Sequence, residues 1–500
     1  MRFAGSEAMR EMDRVAIEEL GIPGETLMLR ASTGAAEAAK ELLEPGDRVL
    51  VLCGSGNNGG DGIGIAALLT QAGYQVRCLM AGNRSKLSGD SRRMLERLEA
   101  AGGMLEDYVN PEILKQPWDL IVDALFGTGL SREIGGKYAE LIRAVNELDV
   151  PVLACDIASG ISADTGEVLG CAIQADVTVT FNLPKTGQLL PPGTEHTGRL
   201  IVHDIGIPEA ARERVEYDGE CVTEALVRAA LPARKQESHK GDFGKLLLLC
   251  GSTGFTGAAA LAARAALRTG AGLVYLGVPE PVYPILAAKL DEPVVFPLPG
   301  NGNGRFSRMG LPDILDRVAQ MDACLVGPGI GRSYDTEEIV YGVLEAAECP
   351  LVLDADGINV FERHIDRLDK ARCPLVLTPH AGEFRQMGGD LSKNRLDAAR
   401  EMAEKTGAVI VLKGHRTVTA CPDGRCYVNS TGNSGMATGG SGDVLAGILT
   451  CLLGQGMEPG LAAASAVWIH GAAGDLCAGR LGQRSMLPSD MIGALSEILK

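Results

Sequence analysis

The chain has 500 residues, more than one hydrophobic core ordinarily holds, so two or more domains are expected. Hydrophobic residues make up 46% and charged residues 22% of the composition, which is typical of a globular protein and excludes an intrinsically disordered one. The net charge of −17 argues against nucleic acid and anionic membranes as partners.

The sequence predicts neither a targeting segment nor a membrane-spanning segment. Residues 1–20 are charged and helical in pattern, without the apolar core of a signal peptide. Apolar runs such as 444–453 are shorter than the roughly 20 residues that a bilayer requires. These features predict a cytoplasmic protein with no membrane partner.

In the first part of the chain, short β-rich apolar runs alternate with amphipathic helical stretches. The runs are 48–53, 119–123, 151–155 and 176–181. This alternation predicts parallel strands joined by helices, here a Rossmann-like doubly wound α/β sheet. Ligands of such sheets bind beyond the carboxyl ends of the strands. The polar segments that directly follow the strands are therefore the candidate sites.

A glycine-rich segment, GSGNNGGDG (54–62), follows the first of these strands and precedes a helical stretch. Glycines let the backbone approach a phosphate, and the start of a helix offers free amides. Such a segment can also be no more than a tight turn. Asn57, Asn58 and Asp61 favour a ligand site, because polar side chains are otherwise costly at a tight junction.

Two further strands end in aspartates. Asp123 begins DALFGTGLSREIGG (123–136), and Asp156 lies in CDIASGISADTG (155–166), three residues before Ser159. A helix cap is the alternative interpretation of Asp123. Asn58, Asp123 and Ser159 together offer three oxygen donors with one charge, a set that suits a monovalent cation. Asp156 remains as a candidate general acid or base.

With FNLPKTGQLLPPG (181–193) and HDIGIP (203–208), these motifs resemble the NAD(P)H-hydrate epimerase domain over nearly all of residues 1–210. The resemblance implies that K⁺ is held by Asn58, Asp123 and Ser159, and that Asp156 is catalytic. The contacts it implies for the hydrated nucleotide are Asn57, Asn58, Gly59, Gly60 and Asp61, then Gly127, Thr128, Gly129, Leu130, Ser131, Arg132 and Glu133. Some members of this family have lost catalysis and serve as RNA-decay scaffolds. The presence of Asp156 and the acidic chain favour the enzyme.

Ala158 departs from the pattern of this family, which usually has proline there. A proline at that point stiffens a turn and carries no chemistry. We therefore expect the departure to have little consequence.

A charged, weakly patterned stretch from about Glu209 to Lys240 separates these strands from a second set. We predict a boundary near residue 220, which gives domains 1–218 and 219–500. The second set of strand-like runs is 245–250, 272–278, 322–326, 350–353, 374–377 and 408–412. A last helical region, 443–454, is apolar nearly all round and is expected to be buried.

The strongest single motif of the second half is GNSGMATGGSGDVLAGILTCLLGQG (432–456). The amides of Gly440, Ser441 and Gly442 can hold negative charge on a phosphoryl group. Asp443, beside them, can take a proton from a hydroxyl group, or it can merely cap the helix.

Two further strand ends carry candidate side chains. Lys413 ends a strand in VLKGHRTVTA (411–420), where it either neutralises nucleotide phosphates or is an exposed structural lysine. In TPHAGEF (378–384), His380 favours a ligand contact over a core histidine, and Glu383 is a candidate contact for a magnesium-bound water.

From about His239 to the end, these motifs resemble the ribokinase-like superfamily and, within it, the ADP-dependent NAD(P)H-hydrate dehydratase domain. The resemblance implies an α/β/α sandwich that uses ADP and Mg²⁺. The substrate contacts it implies are Ala258, Gly331, His380 and Asp443. The nucleotide contacts it implies are Lys413, Gly414, His415, Arg416, Thr417 and Gly442. A sugar or vitamin kinase is the alternative, because the same loop and aspartate serve such enzymes.

The order of the two domains is that of bacterial bifunctional repair enzymes. The resemblance implies that the first domain interconverts R- and S-NAD(P)H hydrates. It implies that the second dehydrates the S form to NAD(P)H at the expense of ADP, giving AMP and phosphate. The expected partners are therefore NAD(P)H hydrates and ADP or AMP. Large apolar helices in the second half also favour a homo-oligomer.

Overall fold

A computed structural model describes residues 1–362 and 364–500 of the chain. The chain forms two compact units, Met1–Gly219 and Glu220–Lys500. Each unit is an α/β structure in which helices pack on a largely parallel sheet.

The first unit is a doubly wound α/β structure. Its strands are β1 (Arg2–Phe3), β2 (Arg48–Cys53), β3 (Gln75–Met80), β4 (Leu105–Asp107), β5 (Leu120–Ala124), β6 (Val152–Cys155), β7 (Val177–Phe181) and β8 (Arg199–His203). Its helices are α1 (Ser6–Arg14), α2 (Gly24–Lys40), α3 (Asn57–Gln71), α4 (Gly89–Ala100), α5 (Gly136–Asn146), α6 (Thr186–Leu189), α7 (Gly193–Thr197) and α8 (Glu209–Arg212). Seven strands form a parallel sheet in the order β4-β3-β2-β5-β6-β7-β8. The strand order reverses between β2 and β5, which is where ligands of such sheets bind.

The four strands predicted for this unit are confirmed as β2, β5, β6 and β7. Apolar cores cover both faces of the sheet. Along β2, Val49 and Val51 pack into one core while Leu50 and Leu52 pack into the other. Burial on both faces is what makes a parallel strand a continuous apolar run.

Helix α3 lies unusually close to the strand ends that precede it. An ideal Cβ on Gly59 would lie 1.9 Å from the carbonyl oxygen of Gly54, and one on Gly62 would lie 2.5 Å from the Cβ of Ala124. Only glycine permits this approach. It brings the start of α3 to the carboxyl ends of β2 and β5.

The second unit is built on a longer sheet. The strands from the junction onward are β9 (Gly219–Cys221), β10 (Lys245–Leu249), β11 (Leu273–Pro279), β12 (Val294–Leu298), β13 (Ala323–Val326), β14 (Leu351–Leu353), β15 (Leu375–Leu377), β16 (Val409–Leu412), β17 (Val418–Ala420) and β18 (Cys426–Val428). They lie in the order β9-β18-β17-β16-β15-β14-β13-β10-β11-β12. Strand β17 is antiparallel to β16 and β18, and the other neighbouring pairs are parallel.

The helices of the second unit complete an α/β/α arrangement. They are α9 (Glu224–Ala230), α10 (Thr256–Thr269), α11 (Tyr283–Lys289), α12 (Leu311–Val318), α13 (Tyr334–Ala346), α14 (Asp356–Asn359), α15 (Ala381–Gln386), α16 (Arg395–Thr406), α17 (Ser441–Gly454), α18 (Pro459–Leu481) and α19 (Pro488–Ile498). The six predicted strands are confirmed as β10, β11, β13, β14, β15 and β16. The predicted buried helix is α17, whose residues from Val444 to Leu453 are all buried.

Helix α18 is the one helix of residues 1–362 and 364–500 that is long and apolar enough to cross a membrane. It meets this criterion by its length of 23 residues and its composition alone. Of its most apolar stretch, 67% is buried inside the unit, as in the core helices of globular proteins.

Candidate active sites

The first candidate site is a cavity of about 550 Å³ in the first unit, at the carboxyl ends of β2, β5 and β6. Its size is in the range of small-molecule and cofactor pockets. Asp156, which directly follows β6, lines it. The predicted nucleotide contacts that also line it are Asn57, Asn58, Asp61, Gly127, Thr128, Gly129, Leu130, Ser131 and Arg132.

Three other predicted contacts lie away from the cavity wall. Gly59 and Gly60 are buried within the packed face of α3, and an ideal Cβ on Gly60 would lie 2.3 Å from the Oγ of Ser91. Glu133 is exposed. In this structure the two glycines let α3 pack closely, and their contact with a nucleotide stays a prediction.

Asp156 carries an ion pair inside the cavity. Its backbone has a φ of 66°, a left-handed conformation that is uncommon for aspartate. Its Oδ1 accepts a hydrogen bond from Lys185 Nζ at 2.5 Å. Lys185 is only 1% exposed, and its Nζ also donates to Thr180 Oγ1 at 2.7 Å and to the carbonyl oxygen of Phe181 at 3.0 Å. Among the described residues, every donor to this carboxylate bonds Oδ1, so Oδ2 is available to a molecule in the cavity.

Sequence reasoning does not identify Lys185 or Asp13, although both line the cavity. Lys185 lies 29 residues after Asp156, and spacing along the chain does not connect them. The available signal was the lysine of FNLPKTG, which comes just after the buried strand β7. Asp13 lies on α1, where a charged helical pattern is equally typical of a surface helix.

The cavity wall contains three carboxyl groups close to one ammonium group. Burial raises the pKa of Asp13 to about 6, with Asp156 adding to the rise and Lys185 opposing it. Burial raises the pKa of Asp61 well above its usual range, and Asp156 and Asp13 raise it further. The cavity therefore holds Asp61, whose protonated form is favoured by burial, close to the ion-paired side chain of Asp156. A proton donor and a proton acceptor side by side are what acid–base chemistry requires.

The predicted cation ligands converge beneath the loop that follows β5. Asp123 is fully buried, and it accepts hydrogen bonds from Ser159 N at 2.8 Å and Ser159 Oγ at 2.7 Å. Ser159 Oγ also accepts from the amide of Phe126, whose carbonyl oxygen accepts from Asn58 Nδ2 at 3.0 Å. Asp123 does not cap a helix, because the next helix begins at Gly136.

This set of oxygen atoms fits a monovalent cation. Asn58 Oδ1 is buried and has no hydrogen-bond partner among the described residues. Burial raises the pKa of Asp123 to about 6 even though Ser159 and Leu125 donate hydrogen bonds to it. A cation bound here would satisfy the Asn58 oxygen and keep Asp123 ionised. No group of three His, Cys, Asp or Glu side chains in the described part of the chain could hold a metal ion.

The second candidate site lies in the second unit, where the carboxyl ends of β14, β15 and β16 meet the start of α17. Asp443 is in the first turn of α17, and its carboxylate accepts no hydrogen bond from the described residues. The structure therefore shows no capping hydrogen bond from Asp443, although a carboxylate in a first turn also interacts favourably with the helix dipole. Burial raises the pKa of Asp443 to about 7, with Asp354 raising it further and Lys413 opposing the rise. A pKa near neutrality suits a general base.

Lys413 directly follows β16 and is not an exposed structural lysine. Its Nζ donates to Asp354 Oδ1 at 2.8 Å, and only 19% of its side chain is exposed. An ideal Cβ on Gly442 would lie 3.5 Å from Lys413 Nζ, so the ammonium group lies against the first turn of α17. Two residues of the predicted site, Lys413 and Gly442, are thus brought together. Asp354 begins DADGIN (354–359), a polar segment that the sequence places at a strand end, but its pairing with Lys413 was missed because the two lie 59 residues apart in the chain.

The glycine-rich loop before α17 is tightly turned. Gly440 has a φ of 101°, which a side chain would disfavour, and α17 begins at Ser441. The Ser441 amide donates to the carbonyl oxygen of Thr438 at 3.3 Å, and the Ser441 hydroxyl lies 3.3 Å from Nε2 of the buried His470. Of the three amides predicted to hold a phosphoryl group, those of Gly440 and Gly442 are therefore the ones open to an anion.

Hydrogen bonds between Gly414 and Thr417 close the 413–417 turn. Thr417 Oγ1 accepts from the amide of Gly414 at 3.2 Å and donates to the Gly414 carbonyl oxygen at 2.9 Å. Arg416 has a φ of 56°, and its buried Nε has no hydrogen-bond partner among the described residues. The turn is closed by Thr417, and Arg416 retains an unsatisfied donor.

His380 begins helix α15. Its Nδ1 accepts from the amides of Gly382 and Glu383, at 3.0 and 3.1 Å, and the buried Glu383 carboxylate accepts from the His380 amide at 2.8 Å. The His380 side chain is 61% exposed. It is therefore a helix cap that faces solvent, as opposed to a core histidine.

Ala258 lies against Gly329, in the loop that carries Gly331 two residues further on. An ideal Cβ on Gly329 would lie 3.1 Å from the Cβ of Ala258, and the amide of Gly331 donates to Asp356 Oδ2 at 2.9 Å. Arg305 was missed. Its side chain lies against Gly331 and donates to the carbonyl oxygen of Arg332 at 2.6 Å.

Comparison with known proteins covers both units. The family described as YjeF-related protein N-terminus matches residues 24–187, and the family described as NAD(P)H-hydrate dehydratase matches residues 246–497. A Moorella thermoacetica protein named bifunctional NAD(P)H-hydrate repair enzyme Nnr is 41% identical, over 100% of this chain and 97% of that protein. An Escherichia coli protein of the same name is 34% identical, over 99% and 93% of the two chains.

A solved structure supports the fold of the second unit. A ribokinase-like superfamily protein from Enterococcus faecalis is 28% identical, with a TM-score of 0.50. The match covers 56% of this chain and 95% of that one. The predicted ribokinase-like fold is therefore confirmed.

Proposed function

The chain belongs to the family of bifunctional NAD(P)H-hydrate repair enzymes, and on that premise we propose a chemical role for each of its two sites. The first unit interconverts the R and S epimers of hydrated NADH or NADPH. The second unit dehydrates the S epimer to NAD(P)H at the expense of ADP, releasing AMP and phosphate. The observation that carries this proposal is the pair of aspartates, Asp156 and Asp443, each set at the strand ends of its own sheet with an oxygen atom free for a ligand.

Epimerisation requires the bond between C6 of the nicotinamide ring and its hydroxyl oxygen to break and to re-form on the other face. The lone pair of the ring nitrogen expels the oxygen, which leaves as water once it has gained a proton. Asp61, whose pKa is raised well above its usual range by burial, is the proposed proton donor in the same cavity. The Asp156 carboxylate stabilises the ring cation and accepts a proton when water returns. Lys185 fixes Oδ1 of Asp156, so that Oδ2 faces this chemistry.

We propose K⁺ as the ion of the first unit, held by Asn58, Asp123 and Ser159. The buried Asn58 Oδ1 and the fully buried Asp123 carboxylate support this assignment. A bound cation supplies positive charge beside the start of α3, where a nucleotide phosphate can bind.

Dehydration requires the C6 hydroxyl group to become a better leaving group. The hydroxyl oxygen attacks the terminal phosphorus of ADP, and AMP departs. Phosphate then leaves from C6 as the ring nitrogen's lone pair forms an N1=C6 iminium ion, and loss of a proton from C5 converts this ion into NAD(P)H. Asp443 takes the hydroxyl proton, because its carboxylate accepts no hydrogen bond from the described residues and its pKa is near neutrality. The amides of Gly440 and Gly442 and the ammonium group of Lys413 receive the phosphoryl charge.

Mg²⁺ is proposed to arrive bound to ADP and to supply further positive charge at the phosphates. Mg²⁺ characteristically keeps several waters and takes few protein ligands. This agrees with the finding that no three His, Cys, Asp or Glu side chains among the described residues form a metal site. Glu383 is the proposed contact to one of its waters.

The test is to incubate the full chain with hydrated NADH, Mg²⁺ and either ADP or ATP while following the absorbance of reduced nicotinamide. We expect NADH to be regained with ADP and not with ATP. Phosphorylation of a vitamin or sugar without any regain of NADH would show instead that the second unit is a kinase.

Three sequence predictions belong to this proposal as well. They are a cytoplasmic location, a homo-oligomeric state and the lack of nucleic-acid and membrane partners. Light scattering on the purified chain measures the second of them.

A further inference from the structure

Asp354 is a buried carboxylate that the proposed mechanism does not use. It directly follows β14, is 1% exposed, and accepts two hydrogen bonds on one oxygen. Lys413 Nζ donates to Asp354 Oδ1 at 2.8 Å, and Thr378 Oγ1 donates to the same atom at 2.6 Å. Its position is fixed by the backbone as well, since an ideal Cβ on Gly327 would lie 1.8 Å from the carbonyl oxygen of Asp354.

Lys413 connects this carboxylate to the start of α17. The Lys413 amide donates to the carbonyl oxygen of Pro379 at 2.9 Å, which ties the ends of β15 and β16 together. Its ammonium group faces Gly442, where the absence of a side chain leaves Nζ against the first turn of the helix. Free amides of a first helical turn are an anion site. An ammonium group held at that turn adds a full positive charge to it.

We infer that Asp354 is a positioning residue for the dehydratase reaction, which holds the Lys413 ammonium group at the phosphate loop and contributes negative charge beside Asp443. This inference rests on the nucleotide site proposed for the second unit. A buried ion pair contributes little net stability to a fold. We therefore explain the Asp354–Lys413 pair by its effect on the position of the lysine.

The charged and titratable groups around Asp443 give the inference a second consequence. Asp354 raises the pKa of Asp443 and Lys413 lowers it. Both aspartates raise the pKa of the buried Cys250 thiol, in addition to the effect of burial. Glu383 contributes to raising the pKa of Lys413. Burial lowers the pKa of His470 to about 4, so this ring is uncharged at neutral pH. Asp354 raises the pKa of Asp443, and removing its charge leaves Lys413 unopposed. The pKa of Asp443 must then fall.

The experiment uses the full chain with Asp354→Asn, which keeps the size of the side chain and removes its charge. We expect the Kd for ADP with Mg²⁺, measured by calorimetry, to rise roughly tenfold, as for loss of one fixed charge-assisted contact. We also expect the acid limb of the kcat–pH profile to move to lower pH. A merely structural role would move neither the affinity for ADP nor the position of that limb.

Thr378→Val is the second variant, because it loosens the Asp354 carboxylate without removing its charge. It should raise the Kd for ADP in the same direction by a smaller factor and leave the acid limb in place. Interconversion of R and S hydrates, carried out by the first unit, should be unchanged in both variants, and an unchanged melting temperature of the second unit reports that this unit is folded. An unchanged or lower Kd for ADP in both variants would overturn the inference.

Failure of the proposed function gives a different result. If the wild-type chain binds ADP but regenerates no NADH, the dehydratase assignment fails. The role of Asp354 is still decided by the two ADP affinities.

Discussion

The aspartates of the two sites differ in their hydrogen-bonding partners. Asp156 shares its Oδ1 with the buried ammonium group of Lys185, whereas Asp443 has no hydrogen-bonding partner among the described residues. Burial accordingly raises the pKa of Asp443 to about 7. A base of that strength accepts a proton at neutral pH and loses its function when the solution becomes acidic.

Asp443→Asn should stabilise the fold in a pH-dependent manner. An unfolded chain loses this proton near the ordinary value of 3.8, whereas the folded chain keeps it up to about 7. Ionisation of Asp443 therefore destabilises the folded state as the pH rises between these values. We expect the variant to raise the free energy of unfolding by roughly 1–3 kcal/mol at about pH 8 and by far less at about pH 4. Urea unfolding at the two pH values measures this.

Asp316→Asn is the matched control, because Asp316 is exposed on α12. It should change stability little, and equally, at both pH values. Equal stabilisation by Asp443→Asn at both values would contradict the raised pKa of Asp443.

The partners of these aspartates show where prediction from residue patterns stops. Asn58, Asp123 and Ser159 could be grouped because each lies at or shortly after the carboxyl end of a strand of one parallel sheet. The roles of Lys185 and Asp354 could not be predicted, because their hydrogen-bond partners lie far away in the chain. Lys185 is 29 residues from Asp156, and Asp354 is 59 residues from Lys413. Hydrogen-bond partners of this kind become visible only when the strand order is known.

At the scale of elements, most strands that could be predicted from the sequence are those with a continuous run of buried apolar residues. Strands β2, β5, β6 and β7 are buried along nearly their whole length and read as continuous apolar runs. Strands β3 and β8 were missed, because their residues are largely half-exposed or polar and include Arg77, Arg199 and His203. The short β17 and β18 were missed as well, since they include Thr419 and Tyr427, whereas the equally short β14 and β15 consist of Leu and Val alone.

Gly447→Ala should separate the two helices at the centre of the second unit. Gly447 lies on α17, and an ideal Cβ there would lie 2.3 Å from the carbonyl oxygen of Ala262 on α10. The added methyl group must push the helices apart, so we expect a loss of about 1–3 kcal/mol of unfolding free energy. Thermal unfolding of the full chain measures the change.

Gly257→Ala is the control for this substitution. Gly257 also lies in a helix, α10, and an ideal Cβ there meets no atom within 4 Å. Replacing an open helical glycine by alanine should leave stability unchanged or slightly higher. A melting temperature for Gly447→Ala equal to that of Gly257→Ala would contradict the close packing of α17 on α10.

At the scale of the whole molecule, one chain carries two sites whose reactions depend on each other. The first unit converts the R hydrate, which the second cannot use, into the S hydrate that it consumes. Joining the two in one chain fixes their ratio at one to one. Each unit has its own apolar core and its own strand-end site, so a substitution in one site should leave the chemistry of the other intact.

The central claim is tested most directly by mixing R- and S-NADH hydrates with excess ADP and Mg²⁺ and following the regain of NADH. The wild-type chain should recover all of the NADH in one fast phase. Asp156→Ala should recover the S fraction fast and the R fraction only at the slow rate of spontaneous epimerisation, and Asp443→Ala should recover none. A single fast phase from Asp156→Ala, or recovery of NADH by Asp443→Ala, would contradict the assignment of these two aspartates.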